Sequence, residues 1–184
     1  MPGDAATRLA PADARIKAQP IRWPSDDGGM LHGFMAIPAR AKGRQPAVLV
    51  LAAPGGPPGV GSGLAASVAQ AGLIACAPDA AMVAAAVADQ ASRALRDLEA
   101  TIRWLGHNAY ATGAVGLLGT HDTGALLGRL TATNGVSAAV LLGPPGQLTA
   151  AGATATILAL PAADSAEWAN AWPRAMAYLR EHLQ

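Results

Sequence analysis

One cysteine, one phenylalanine, two tyrosines and four tryptophans are spread over 184 residues, and each shortage removes a class of protein. The lone Cys76 rules out a disulfide framework and a cysteine-based zinc site. Charged residues make up only 14%, with 13 Lys+Arg against 12 Asp+Glu. The clustered basic side chains that neutralise phosphates are therefore missing, and no nucleic-acid partner is expected. His32, His107, His121 and His182 are dispersed without a His-x-x-x-His spacing, so no metal is expected. Apolar runs are each broken by Asp, Arg, Gln, Pro or Gly before reaching the roughly 18 residues of a membrane helix, and no membrane insertion is expected. The first residues carry neither an apolar h-region nor a twin-arginine pair, which makes a cytoplasmic location the default.

What remains is rich in alanine and glycine and 52% apolar, far too apolar for a disordered chain and long enough for one sizeable core. Residues 1–20 lack periodicity and read as an N-terminal arm or tail; residues 21–184 read as a single domain. Within it, residues 31–37 form a strand pattern ended by Pro38. Residues 47–52 are a continuous apolar run, the mark of a strand buried on both faces. A helix pattern over 62–71 stops at Gly72, where a C′ glycine belongs. Residues 73–77, 114–118, 138–142 and 155–160 read as further strands. Residues 80–105, 123–133 and 166–183 read as helices. This alternation predicts an α/β fold of three α/β/α layers around a mainly parallel sheet of about six strands.

In such sheets chemistry collects where strand carboxyl ends meet helix N-termini. Val115-Gly-Leu-Leu-Gly-Thr-His-Asp-Thr-Gly-Ala125 runs from strand through a tight turn into a helix, with Gly119 and Gly124 framing the turn. That is the layout of a nucleophile elbow, and its central residue is His121. A plain turn capped by Asp122 or Thr120 is the alternative. Pro54-Gly-Gly-Pro-Pro-Gly59 lacks both the Lys-Ser/Thr ending of a phosphate loop and the Gly-x-Gly-x-x-Gly spacing of a dinucleotide site. No cofactor is expected, and the segment reads as a turn or a relic of an oxyanion loop. Trp104, Trp168 and Trp172 fall on helices, where packing is the ordinary role.

With the elbow in place, the chain resembles the dienelactone hydrolase family of α/β-hydrolase folds over nearly all of 21–183. The resemblance is carried by Trp23-Pro-Ser-Asp-Asp-Gly-Gly-Met-Leu-His-Gly-Phe-Met-Ala-Ile-Pro38, the strand at 46–52, and Leu64-Ala-Ala-Ser-Val-Ala-Gln-Ala-Gly-Leu-Ile-Ala-Cys-Ala-Pro-Asp79. It continues through Gly116-Leu-Leu-Gly-Thr-His-Asp-Thr-Gly124, Leu158-Ala-Leu-Pro-Ala-Ala-Asp164 and Ala171-Trp-Pro-Arg-Ala-Met-Ala-Tyr-Leu-Arg-Glu-His-Leu183.

The resemblance implies a Cys or Ser at the elbow, where this chain has His121, and a Glu after the central strand, where it has Ala52-Ala53-Pro54. It implies an acid at Asp164, which is present, and a His on a loop before the last helix, where only Ser165 and Ala166 separate Asp164 from Glu167. His182 lies far along that helix. The fold is therefore expected to be shortened at its C-terminal end, leaving a sheet edge exposed. Two readings follow. Either triad chemistry is lost and the protein serves as a binding or accessory subunit, or a small ester or lactone hydrolase works with a rearranged site of His121, Asp122 and Asp164. His121-Asp122-Thr-Gly124 also looks like the His-Asp-x-Gly elbow of epoxide hydrolases and haloalkane dehalogenases, with Asp122 as nucleophile, but no His suited to activating water accompanies it. Edges are usually covered or paired, so a protein partner or a homo-oligomer through that edge is expected. A small-molecule ligand is compatible with either reading.

Overall fold

The computed structural model describes residues 15–89, 92–143, 155–162 and 165–184. Seven strands form one sheet in the order β1-β2-β4-β3-β5-β6-β7. They are β1 (Ile16–Pro24), β2 (Met30–Pro38), β3 (Gln45–Leu51), β4 (Ile74–Pro78), β5 (Ala111–Thr120), β6 (Val136–Leu142) and β7 (Thr156–Leu160). β1 and β2 pair antiparallel to each other, and β2 runs antiparallel to β4. All later pairings, from β4 through β3, β5 and β6 to β7, are parallel.

The continuous apolar runs follow from two-sided burial. Along β3, Ala47, Leu49 and Leu51 join one core cluster while Val48 and Val50 join the other. The first cluster is closed by α2 (Ala80–Ala88), α3 (Arg93–Gly106) and α4 (Gly124–Leu130). The second is closed by α1 (Val60–Gln70) and α5 (Ser165–His182). This is the expected three-layer arrangement. In β4, Cys76 is fully buried, and burial pushes its thiol up to about 12.

Two expectations need correction. The arm expected over 1–20 overlaps β1 from Ile16 onward, while residues 1–14 lie outside the described residues. β1 is an edge strand with most side chains exposed, so it carries no apolar alternation to read, and it raises the sheet from about six strands to seven. The single helix expected over 80–105 is two. Asp89 leaves α2 in an extended conformation (φ −142°, ψ 103°), and Ser92 enters α3 at φ −68°, ψ 164°. Ser92 occupies the N-cap position, although its side chain makes no bond to the helix.

The long α3 is tied to the sheet by Trp23. Its indole N–H donates to Thr101 Oγ1 at 3.0 Å, and Thr101 in turn donates to the Asp97 carbonyl at 2.7 Å. Trp23 also stacks on Trp104 with ring centroids 5.3 Å apart. Trp104 is thus a packing residue.

Candidate functional site at the elbow

β5 carries two glycines whose missing side chains let helices approach the sheet. A Cβ on Gly116 would stand 2.8 Å from Leu183 Cδ1, on the α5 side. A Cβ on Gly119 would stand 2.6 Å from Thr123 Oγ1 and 2.7 Å from Leu127 Cδ1, on the α4 side. The chain leaves β5 at Thr120, makes one 3₁₀ turn over His121–Thr123, and enters α4 at once. Thr123 Oγ1 donates to the Thr120 carbonyl at 3.0 Å and closes that turn.

His121 has φ +43°, the one positive value at a non-glycine among the described residues. L-residues pay for this region with a clash of Cβ against the backbone, about 1–2 kcal/mol. Gly143, at the end of β6, leaves room for it: a Cβ there would lie 3.0 Å from His121 N and 3.1 Å from its Cα. The strand-to-helix turn therefore has the strained apex of a nucleophile elbow, occupied by an imidazole.

A cavity of about 320 Å³ opens over this apex. Its polar lining residues are Thr120, His121 and Ser165, and its apolar wall includes Val60, Leu64, Ala162 and Trp168. Val60 begins α1 and Ser165 begins α5, so the cavity sits at the strand carboxyl ends where topology places it. The loop after β3 closes one side through Ala53, Gly56 and Pro57. Its backbone donors are largely spent. Ala53 N–H donates to Thr120 Oγ1 at 2.9 Å, Gly56 N–H to the Ala53 carbonyl at 3.4 Å, and Pro54 has none.

Of the three residues expected in the site, His121 lines the cavity. Asp122 is exposed and is not one of the lining residues. Asp164 lies outside the described residues, although Ala162 and Ser165 on either side of it in sequence both line the cavity. His182 is remote: it sits 17 residues along α5 from Ser165, about 25 Å at 1.5 Å per residue. There its Nδ1 lies 2.9 Å from the Tyr178 carbonyl and its ring stacks on Tyr178. His32 lines a separate groove with Arg22 and Asp79, and His107 Nδ1 lies against the Arg103 carbonyl at 2.7 Å.

Sequence reasoning missed Thr120, Ser165 and Trp168 as cavity residues. Thr120 was legible only as a capping residue of the turn, Ser165 only as a residue before the last helix, and Trp168 only as a packing residue on it. Among the described residues, no group of three or more His, Cys, Asp or Glu is placed to hold a metal ion. Nor is any described helix long and apolar enough to cross a membrane.

Neither a protein-family model nor a curated protein matches the chain by sequence. Solved structures match it by fold. A putative dienelactone hydrolase from Klebsiella pneumoniae subsp. pneumoniae MGH 78578 superposes with a TM-score of 0.68 at 20% identity, covering 89% of this chain and 98% of that one. A dienelactone hydrolase-like promiscuous phosphotriesterase from metagenomic libraries gives 0.64 at 19% identity, covering 91% and 78%. Brefeldin A esterase, a bacterial homologue of human hormone-sensitive lipase, gives 0.53 at 14% identity, covering 74% and 42%. The chain has the α/β-hydrolase fold of dienelactone hydrolase-like proteins.

Proposed function

We propose that the protein uses the elbow cavity to bind a small molecule without triad acyl transfer, in a binding or accessory role. The observation that carries this reading is the chemistry of the elbow. Acyl transfer needs a hydroxyl or thiol at the apex with a base beside it, and here the apex is His121 itself. It also needs N–H groups aimed at the developing oxyanion, one of them from the loop after the central strand. In that loop Ala53 N–H is held by the Thr120 hydroxyl and Pro54 supplies no donor, while Gly55 is not among the cavity-lining residues. A cavity with apolar walls and a few polar groups is the ordinary form of a small-molecule site.

The second reading, a hydrolase of esters or lactones with a rearranged site, draws on the positive φ of His121. Strained backbone concentrates at functional sites. One experiment separates the two. Purified protein is screened with short p-nitrophenyl esters and small lactones and treated with a fluorophosphonate probe, alongside His121→Ala, Asp122→Ala and Ser165→Ala. Binding without chemistry gives neither turnover above the variants nor an adduct. Turnover or labelling that disappears in His121→Ala or Asp122→Ala would establish the hydrolase.

A further inference from the structure

Thr120 is 4% exposed and lines the elbow cavity. Its Oγ1 accepts the Ala53 N–H. A hydroxyl has one proton to give and two lone pairs to accept with, so this bond uses a lone pair and leaves the Thr120 proton unspent. Among the described residues nothing accepts that proton. The nearby Thr123 hydroxyl is turned to the Thr120 carbonyl instead. The open space beside this donor is the cavity, where water or a ligand acceptor can meet it. The bond from Ala53 engages one lone pair of the oxygen, and the hydroxyl proton is free to turn into that space.

Resting on the reading of the cavity as a binding site, we infer that Thr120 is its specificity-determining donor, selecting a compact apolar molecule that presents a carbonyl oxygen. The Val60, Leu64, Ala162 and Trp168 wall takes the hydrocarbon part. The Thr120 O–H donates to the carbonyl, in a chain running from Ala53 N–H through the hydroxyl to the ligand. A hydrocarbon of the same shape leaves the buried proton unanswered and binds less well.

Acetophenone and ethylbenzene form the probe pair, since they differ chiefly in the carbonyl. Each is titrated into the full chain and followed by ¹H–¹⁵N shifts, with the Trp168 indole N–H reporting on the cavity. Wild type and Thr120→Ser, which keeps the hydroxyl, should prefer acetophenone by about three- to tenfold, the worth of one net hydrogen bond. Thr120→Val, which offers the ketone oxygen no donor, should lose the preference for acetophenone. Equal affinities in wild type, or a preference that survives in Thr120→Val, overturns the role of Thr120 and leaves the binding site standing. If neither probe shifts the Trp168 reporter, the binding reading falls and this inference with it. The comparison of two probes on wild type decides the matter even if Thr120→Val does not fold.

Discussion

At position 121 the side chain and the backbone make opposite demands. The imidazole contributes one of the few polar groups in the cavity, while a φ of +43° suits glycine. His121→Gly should therefore raise the unfolding free energy by about 0.5–1 kcal/mol, the relief of a left-handed L-residue less the extra freedom gained by the unfolded chain. His121→Val should lower it, because β-branched residues tolerate positive φ worst. Urea titration of both variants checks the pair of signs, and two losses would mean that the imidazole contributes more to stability than its conformation costs. Cys76 makes a second demand, set by solvation. Burial in β4 raises its thiol pKa from 9.0 to about 12. Between those values the unfolded chain gives up the proton and the folded chain keeps it, so the unfolded state binds fewer protons and stability falls as pH rises. Urea midpoints should decline from pH 8.5 to 10.5, less steeply in Cys76→Ala, and the native thiol should resist Ellman's reagent at pH 8 until the protein is unfolded.

Between residues and fold, glycine does different work in different elements. In β5, Gly119→Ala would drive a Cβ against Thr123 Oγ1 and Leu127 Cδ1. The expected loss is about 1–3 kcal/mol, the cost of overpacking a core, as α4 is pushed off the sheet. In α1, Gly63 is exposed and an added Cβ meets nothing within 4 Å. Gly63→Ala should stabilise by about 0.5–1 kcal/mol through helix propensity alone. Denaturant melts of the two variants should move in opposite directions. The same contrast explains what could be read from sequence. β3, β4 and β6 were legible because a strand buried on both faces must be apolar throughout, and α1 because Gly72 stops it with φ +94°. β1 was not, since an exposed edge imposes no pattern. The break between α2 and α3 was hidden because Asp89 and Ser92, the described residues that flank it, do not forbid a helix. The elbow was legible from its glycine frame, but its surroundings were not. Ser165 and Trp168 reach the cavity from the other end of the chain, and local sequence carries no sign of such a meeting.

Across the whole molecule, α5 connects the cavity to the opposite end of the sheet. Its first turn supplies Ser165 and Trp168 to the site, and its far end brings Leu179 and Leu183 onto β5 at Gly116. Between them Ala171, Ala175 and Met176 are buried in the same cluster, and the Arg180 guanidinium donates to the Ala71 carbonyl at the end of α1. A helix of 18 residues is about 27 Å long, so these contacts clamp the helix at both ends and along its length. Leu183 is fully buried, and Leu183→Ala should cost about 2–5 kcal/mol by the loss of its transfer energy and the void left against Gly116. Because one core cluster holds α5, α1 and the six strands β2 to β7 together, that loss should appear as a lower midpoint of a single cooperative transition. The Trp168 indole N–H resonance in the native baseline should stay as in wild type, since the cavity end of the helix keeps its own contacts. A shifted Trp168 resonance before the main transition would instead mean that α5 loosens as a separate unit, and that the site depends on a packing contact at the far end of the sheet.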